Sequence, residues 1–262
     1  MKTIQLLHLA ILVLFTGMIA QAQTVTVLTY NIHHGTDKDE IDQLQQMGQF
    51  IRQSGVDLVG LQEVDSVCRR SGGVDQMKKL GEITGMHYAF VRHFAYQGGA
   101  YGQGILSRYP ISEIKNNRLT LLKKDSTRES LALISAVVTF PRKKNILFAS
   151  AHFALDEATR MIQASETVAL FASRDMPVIF TGDLNATPEK NEIRYLDTLF
   201  TTTDPAHHLT YPADKPVKSI DYIFVNTAYF DRVLSFKVPD VNYSDHRPAM
   251  STFELSMKKK TK

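Results

Sequence analysis

Val178-Ile179-Phe180-Thr181-Gly182-Asp183-Leu184-Asn185-Ala186-Thr187-Pro188 is the stretch on which the reading of the fold turns. Its opening triplet is apolar and built of β-branched and aromatic side chains, the mark of a buried strand, and the Gly, Asn and Pro that follow break regular structure. The chain therefore reaches Asp183 along a strand and leaves the sheet at once. α/β folds keep their chemistry where strands stop and loops begin, so a carboxylate delivered there is a candidate ligand or base. In isolation, an Asp or Asn ahead of a Pro is more often a turn former or a helix cap. The functional reading depends on what the other strands deliver.

They deliver the same kinds of residue. Thr24 to Tyr30 alternates as a strand and leads to Asn31, then His33, His34 and Gly35. Asp57 to Leu61 leads to Gln62, Glu63 and Asp65, Asn145 to Ser150 leads to His152, and Ser219-Ile220 runs into Asp221 before the apolar Tyr222 to Val225. A last run, Ser244-Asp245-His246-Arg247-Pro248, adds an acid and an imidazole. If these ends converge, they offer carboxylates for Mg²⁺, which takes oxygen ligands and commonly sits between carboxylates and substrate phosphates. They also offer imidazoles that titrate near neutrality, with an Asp to hold one of them.

The N-terminus reads as an export signal: Lys2, an apolar run from Leu6 to Ile19, and Ala20-Gln21-Ala22 as a cleavage site. The run is shorter than the ~20 apolar residues a membrane span needs, so no stable membrane anchor is expected after cleavage, and the mature chain is expected to begin at Gln23. Removing residues 1–22 from 262 leaves 240, the size of a single two-sheet α/β enzyme. No linker, repeat or low-complexity tract divides it, so one domain is expected over residues 23–257, followed by a basic disordered tail at 258–262. Cys68 is the only cysteine, which excludes an intrachain disulfide and fits a monomeric periplasmic or secreted bacterial protein better than a disulfide-stapled module. Taking Lys2 and the tail lysines 258, 259, 260 and 262 from 30 basic residues leaves 25 against 27 acidic, a body net charge of −2. Proteins that grip nucleic-acid backbones usually show a clustered positive face. Here the clusters are only Arg69-Arg70, Lys123-Lys124 and Arg142-Lys143-Lys144, the last two read as solvated turns.

Capping-box spacing of Asp37 and Glu40, then Ile41, Leu44, Gly48 and Ile51 at helical intervals up to Gly55, predicts one amphipathic helix. A second is predicted over Val74 to Thr84, with Met77, Leu80 and Ile83 inward and Gly85 as its stop. Strands are predicted at Tyr88 to Val91, Gly104 to Ser107, Ile111 to Leu122, Leu131 to Phe140 and Asn145 to Ser150. A long helix from Asp156 to about Ser173, with Met161, Ile162, Val168 and Ala169 on its inner side, returns the chain to the strand before Asp183. Later strands are predicted at Tyr222 to Val225, Val233 to Phe236 and Ala249 to Leu255. Two mixed sheets face to face with helices outside bury this order best.

Seven runs, in order along the chain, resemble the endonuclease/exonuclease/phosphatase family, the superfamily of deoxyribonuclease I, abasic-site endonucleases, sphingomyelinases and inositol-polyphosphate 5-phosphatases. They are Thr29-Tyr30-Asn31-Ile32, Leu61-Gln62-Glu63-Val64, Tyr101 to Arg108, Ser150-Ala151-His152, Gly182-Asp183-Leu184-Asn185, Ile220-Asp221-Tyr222-Ile223 and Ser244-Asp245-His246. The resemblance implies a four-layer α/β/β/α sandwich and Mg²⁺- or Mn²⁺-dependent cleavage of a phosphate ester. It also implies metal ligation by Glu63, with Asn31 beside it and Asp245 assisting, and an attacking water oriented or deprotonated by Asp183. Asn185 would hydrogen-bond a phosphoryl oxygen, and His246 would touch the phosphate with its tautomer fixed by Asp221. His152 would stabilise charge or protonate the leaving oxygen, and Tyr101 would contact the phosphate. The physics agrees, since phosphoryl transfer is mostly positioning plus neutralisation of oxygen charge.

Arg69, Arg70, Asp75, Gln76 and Arg92 lie near the active end, where Arg69 and Arg92 are candidates to read a substrate headgroup; loop-steadying ion pairs are the alternative. His33-His34-Gly35 differs from the nucleases and is similar to small secreted bacterial members and to the hydrolase domain of glycolipid-anchor remodelling proteins. The chain also lacks the long basic or aromatic insertions that distort DNA, and Phe94-Ala95-Tyr96 beside Gly98-Gly99 is a candidate lip. The leading expectation is a phosphodiesterase for a small or lipid-derived ester, with a secreted nuclease for DNA or RNA second. An inactive phospho-ligand binding module would have lost an acid or a His, and none is lost. His87, His93, His207 and His208 are read as surface histidines.

Overall fold

The computed structural model describes residues 22–122, 129–257 and 259. Twelve strands form two six-stranded mixed sheets. The first sheet contains β1 (Gln23–Asn31), β2 (Leu58–Ser66), β3 (His87–Tyr96), β4 (Gly99–Ser107), β11 (Phe230–Lys237) and β12 (Ala249–Leu255), in the order β11-β12-β1-β2-β4-β3. The second contains β5 (Ile111–Thr120), β6 (Ser130–Phe140), β7 (Lys144–His152), β8 (Val178–Asp183), β9 (Phe200–Thr202) and β10 (Asp221–Asn226), in the order β5-β6-β7-β8-β10-β9. Each sheet has one parallel pair, β1 with β2 and β7 with β8. Parallel neighbours need a crossover, which α1 (Leu44–Ser54) and α3 (Glu157–Phe171) provide; α2 (Gln76–Thr84) and α4 (Asn191–Leu196) complete the helices.

Three apolar cores separate four layers. Leu44, Met47, Ile51 and Leu80 of α1 and α2 pack on Leu28, Val59 and Leu106 of the first sheet. Val25, Ile105, Ile134, Phe148, Ile179 and Phe253 fill the space between the sheets. Ala164 and Phe171 of α3 and Ile193 and Leu196 of α4 pack on Phe180 and Phe224 of the second. The chain is thus the α/β/β/α sandwich expected from its sequence, and no helix among the described residues is long and apolar enough to cross a membrane.

Several boundaries differ from expectation, each for a local reason. α1 starts at Leu44 rather than near Asp37, because the Asp37 carboxylate accepts the amides of Asp39 and Ile41 in a turn. Glu40 then adopts a left-handed φ of 60°, and Ile41 is exposed rather than inward. α2 begins after Asp75, whose side chain caps it, so Val74 lies outside the helix. α3 buries Thr159, Arg160, Gln163, Ala164, Thr167 and Phe171; of the expected Met161, Ile162, Val168 and Ala169, Val168 packs partly buried against the core, Met161 and Ile162 are half-buried and Ala169 is exposed. Two of its buried polar side chains are committed to partners: Gln163 accepts from Ala154 N–H and donates to the Thr120 carbonyl, and Arg160 pairs with Glu192 at 2.6 Å. β3 and β4 run longer than expected, joined through Gln97 and Gly98, both at positive φ. α4 and β9 were not expected. Residues 1–21, Lys123-Lys124 and tail lysines 258, 260 and 262 lie outside the described residues, and with them the export signal.

The sheets approach each other closely beneath the strand ends. A Cβ on Gly60 of β2 would stand 2.0 Å from Thr181 Oγ1 and 3.0 Å from Ser150 Oγ of the facing sheet. Next to it, Gln62 Nε2 donates to Ser150 Oγ at 2.8 Å, tying the sheets together. Gly60→Ala is expected to lower stability by about 1–3 kcal/mol through overpacking. Urea denaturation measures this, and an unchanged midpoint would mean that the sheets are not in contact there.

Candidate functional site

The strand ends do converge. Asn31 ends β1, His152 ends β7, Asp183 ends β8, and antiparallel β10 begins with Asp221, which pairs in register with Asp183. Asn31 Nδ2 donates to Asp183 Oδ2 at 3.1 Å and to Glu63 Oε1 at 2.9 Å, linking both sheets in one amide. Its Oδ1 accepts the His33 N–H at 3.0 Å, which fixes the amide's orientation. Glu63 is not at a strand end as expected. It sits inside β2 at a bulge where the register to β4 slips between Leu61 and Val64, with a left-handed φ of 58°. Bulges re-aim side chains, and this one presents the carboxylate to the cleft.

Asp183 is the hub. Besides Asn31, its Oδ2 faces His152 Nε2 at 3.4 Å and His246 Nε2 at 3.5 Å, and its Oδ1 accepts the Asn185 N–H at 2.9 Å. Asn185 takes a left-handed φ of 49°, a conformation Asn tolerates better than most residues. Its Nδ2 donates to His152 Nε2 at 2.9 Å and to the Phe153 carbonyl at 3.0 Å. Both amide hydrogens are therefore engaged, and Asn185 positions His152 instead of pointing a free N–H at a phosphoryl oxygen. With Nε2 accepting, the His152 proton resides on Nδ1, which lies 4.0 Å from Glu63 Oε1.

His246 Nδ1 donates to Asp221 Oδ2 at 2.9 Å, so Asp221 orients the ring, and Thr210 Oγ1 donates to the same oxygen at 2.6 Å. Burial alone would lower the His246 pKa. The carboxylates of Asp221, Asp183 and Asp245 outweigh it and push the imidazole up to about 10, which makes it a fixed cation beside Asp183. Ser244 Oγ donates to the Asn31 carbonyl at 2.7 Å and thereby ties the 244–246 loop to the end of β1. The Tyr101 hydroxyl is raised well above its ordinary value by burial and then by the Glu63 carboxylate beside it.

Glu63, Tyr101, His152, Asp183, Asn185, Asp245 and His246 line one cleft of about 860 Å³, and Asn31 and Asp221 hold them from behind through hydrogen bonds. Its walls divide by chemistry. Phe94, Leu121, Leu131, Phe153 and Leu155 form an apolar stretch, while Thr187, Lys190, Lys218 and Tyr211 come from other connections. Tyr211, Lys190 and Lys218 escaped the sequence reading because their loops carry no strand-end signature; the Tyr211 ring lies 4.6 Å from that of His246, tilted by 44°. Phe94 reaches the cleft from the expected lip, in a ring cluster with Tyr96 and Tyr101.

Arg69 and Arg92 are exposed and line no part of this cleft. Arg70 instead clamps buried Asp65 with Nε at 2.8 Å and Nη2 at 2.9 Å, the structural alternative for this cluster. His87, His207 and His208 are exposed as expected, but His93 is only 5 % exposed. Its Nδ1 accepts the Ala132 N–H at 2.6 Å, and its Nε2 donates to Gln103, whose amide oxygen also accepts the His152 N–H at 3.2 Å. Burial, then the charges of His152 and Arg118, lowers the His93 pKa well below 6.5. Such a ring stays neutral because protonation would break its bond to Ala132.

The donor set suits a hard divalent cation. Glu63, Asp183 and Asp245 face the cleft without an Arg or Lys partner among the described residues. After burial, the charges of Asp245, Asp183 and Glu63 all raise the Tyr211 pKa, a sign of negative charge concentrated at one place. Asp183, Asp221 and His246 also bring ligand atoms within 4.8 Å of one another, although the Asp221–His246 bond occupies two of them. Glu63 and Asp245, with Asn31 beside them, are the residues that would hold a divalent cation, which when bound neutralises phosphate charge.

Two six-stranded sheets under helices, with acids, imidazoles and an amide at one rim, define the deoxyribonuclease I-like class of sandwich. The Endonuclease/Exonuclease/phosphatase family model matches residues 28–246, and the chain belongs to that family. Its members hydrolyse phosphate esters and typically depend on a divalent metal. The uncharacterized Escherichia coli protein YbhP is 26% identical over 246 residues, covering 87% of this chain and 96% of that protein. An endonuclease/exonuclease/phosphatase from Bacteroides vulgatus superposes with a TM-score of 0.72 at 19% identity, covering 89% of this chain and 99% of that one. A mannosyl-6-phosphatase of Bacteroides thetaiotaomicron does so with a TM-score of 0.68 at 18% identity, covering 87% and 98%. At these identities the structural likeness speaks to the fold.

Asp221→Asn is expected to cost about 10²-fold or more in phosphate-ester turnover by removing the carboxylate that orients His246 and keeps it protonated, with unchanged circular dichroism; a loss under threefold would remove Asp221 from the centre. Separately, below pH 6.5 the unfolded chain binds a proton that folded His93 refuses. Stability should therefore fall by about 1.4 kcal/mol per further unit of acidification from this group. Urea denaturation from pH 8 to 5 should show the advantage of wild type over His93→Gln shrinking below pH 6.5, and a constant gap would contradict the buried neutral ring.

Proposed function

We propose that this chain is an exported, Mg²⁺- or Mn²⁺-dependent phosphodiesterase that cleaves a small or lipid-derived phosphate ester by in-line attack of an activated water. The observation that carries this reading is the single oxygen Asp183 Oδ2, approached by Asn31, His152 and His246 on the floor of one cleft. A water accepted by that carboxylate is oriented by a buried, immobile base. His246, held cationic, balances charge at the phosphate, and His152 carries a proton on the nitrogen away from Asn185, available to a leaving oxygen.

The apolar stretch from Phe94 to Leu155 supports an ester whose departing or retained group is itself apolar. Leu155 is 83 % exposed at this rim, which suits contact with such a group. Export is supported by the N-terminal sequence, and a body charge of −2 speaks against a polyanion as the preferred substrate.

The test is hydrolysis of bis(p-nitrophenyl) phosphate and of p-nitrophenyl phosphate with Mg²⁺ or Mn²⁺, beside plasmid nicking. Diester turnover is expected to vanish with chelator and to fall about 10³-fold in Asp183→Asn, which loses the base. Monoester turnover alone, as the name of the Bacteroides thetaiotaomicron relative describes, would overturn the diesterase reading, and salt-sensitive nicking as the dominant activity would favour the nuclease. Leu155→Ser is expected to raise KM for an ester with an apolar tail about fivefold, the loss of roughly 1 kcal/mol of contact, and to leave the KM of a tail-free ester unchanged.

A further inference from the structure

The loop after β1 carries a second cluster of metal-binding side chains that the cleft does not use. His33, His34 and Glu40 bring one ligand atom each within 4.8 Å of the others. His34 Nε2 lies 2.9 Å from Glu40 Oε2, and His33 Nε2 lies 3.8 Å from Glu40 Oε1. The two rings meet edge to face with centroids 4.5 Å apart. Thr36 Oγ1 approaches the same place, 3.3 Å from His34 Nε2 and 3.4 Å from His33 Nδ1. A tetrahedral Zn²⁺ with bonds near 2.05 Å separates its donors by about 3.3 Å, a spacing that the observed 2.9 and 3.8 Å bracket.

The backbone holds this cluster in place. His33, His34 and Glu40 adopt left-handed φ values of 43°, 45° and 60°, conformations that cost a non-Gly residue free energy and need outside support. Support comes from Gln76 Nε2, which donates to the His34 carbonyl at 2.5 Å, and from the Gln43 N–H, which donates to the Gly35 carbonyl at 2.8 Å. Gly35, at φ 84°, has no room for a Cβ, which would stand 2.7 Å from Gln76 Nε2. His34 is buried, His33 is half-buried and Glu40 is exposed, so the cluster has one side open to solvent.

We infer that His33, His34 and Glu40 form a binding site for a transition-metal ion of the Zn²⁺ type, separate from the carboxylate site of the cleft. Two imidazoles and one carboxylate are a borderline-soft donor set of the kind zinc and cobalt prefer, whereas Glu63, Asp183 and Asp245 are hard oxygen donors suited to Mg²⁺ or Mn²⁺. The two sites therefore sort ions by ligand chemistry. They are also adjacent along the chain, because the His33 N–H that begins the loop orients Asn31, and Asn31 in turn holds Glu63 and Asp183. An ion clamping His33 to Glu40 would stiffen the support of that amide.

Titration of the chelator-treated protein with Co²⁺ in excess Mg²⁺, read by visible absorption and equilibrium dialysis, tests this without recourse to activity. One equivalent with tetrahedral cobalt bands is expected, displaced by Zn²⁺. Glu40→Gln, at an exposed position that leaves the fold intact, and His34→Gln are expected to weaken binding at least tenfold, whereas Glu63→Gln retains it. Absence of the bands in wild type, their loss in Glu63→Gln, or undiminished binding in Glu40→Gln would each overturn the inference and leave His34 and Glu40 as a hydrogen-bonded loop clasp.

Discussion

A single amide joins the two halves of this molecule at the point where its chemistry resides. Asn31 ends a strand of one sheet, and through Nδ2 it holds both Glu63 of its own sheet and Asp183 of the other. Because Asn31 is fully buried and Asp183 is 1 % exposed, these bonds are protected from competition with water, and a buried amide left without partners would be costly. The position of each carboxylate is thus defined relative to the other only when the sheets are correctly apposed. Gly60, which lets the sheets close, and the Gln62–Ser150 bond beneath serve the same alignment.

From that hub the charge pattern follows. Asp183 collects donors from Asn31, Asn185 and His246, and His246 is kept protonated by three acids against the penalty of its burial. His93, with the same ring and similar burial, goes the other way because its nearest partners are a backbone N–H, an amide and cationic neighbours. Two imidazoles in one rim are thereby held in different charge states, one neutral and one cationic, by their surroundings, a division that local sequence around each histidine does not reveal.

Much of this was legible in the sequence because strands announce themselves by composition and stop at residues with turn chemistry. Asn31, His152, Asp183 and Asp221 were found that way, and the sheet-forming order followed from alternation and the crossover helices. What was not legible depends on tertiary partners. The bulge at Glu63 exists only in the register between β2 and β4. The polar inner face of α3 makes sense only beside Glu192, Ala154 and Thr120, and the start of α1 was lost to a turn in which Asp37 found nearer amides. His93 looked like a surface residue because nothing within its own strand shows Ala132 and Gln103 on either side of it. Tyr211 and Lys218 lie in an irregular connection whose path periodicity does not encode.

The centre draws on residues from Asn31 to His246, and the bond that fastens it spans 152 positions of chain. Neither crossover unit contains enough of it to act by itself. A nascent chain, or a proteolytic fragment lacking either sheet, consequently lacks part of this centre, which is complete only when the two sheets are apposed. The topology thus makes assembly of the centre conditional on both sheets being in place.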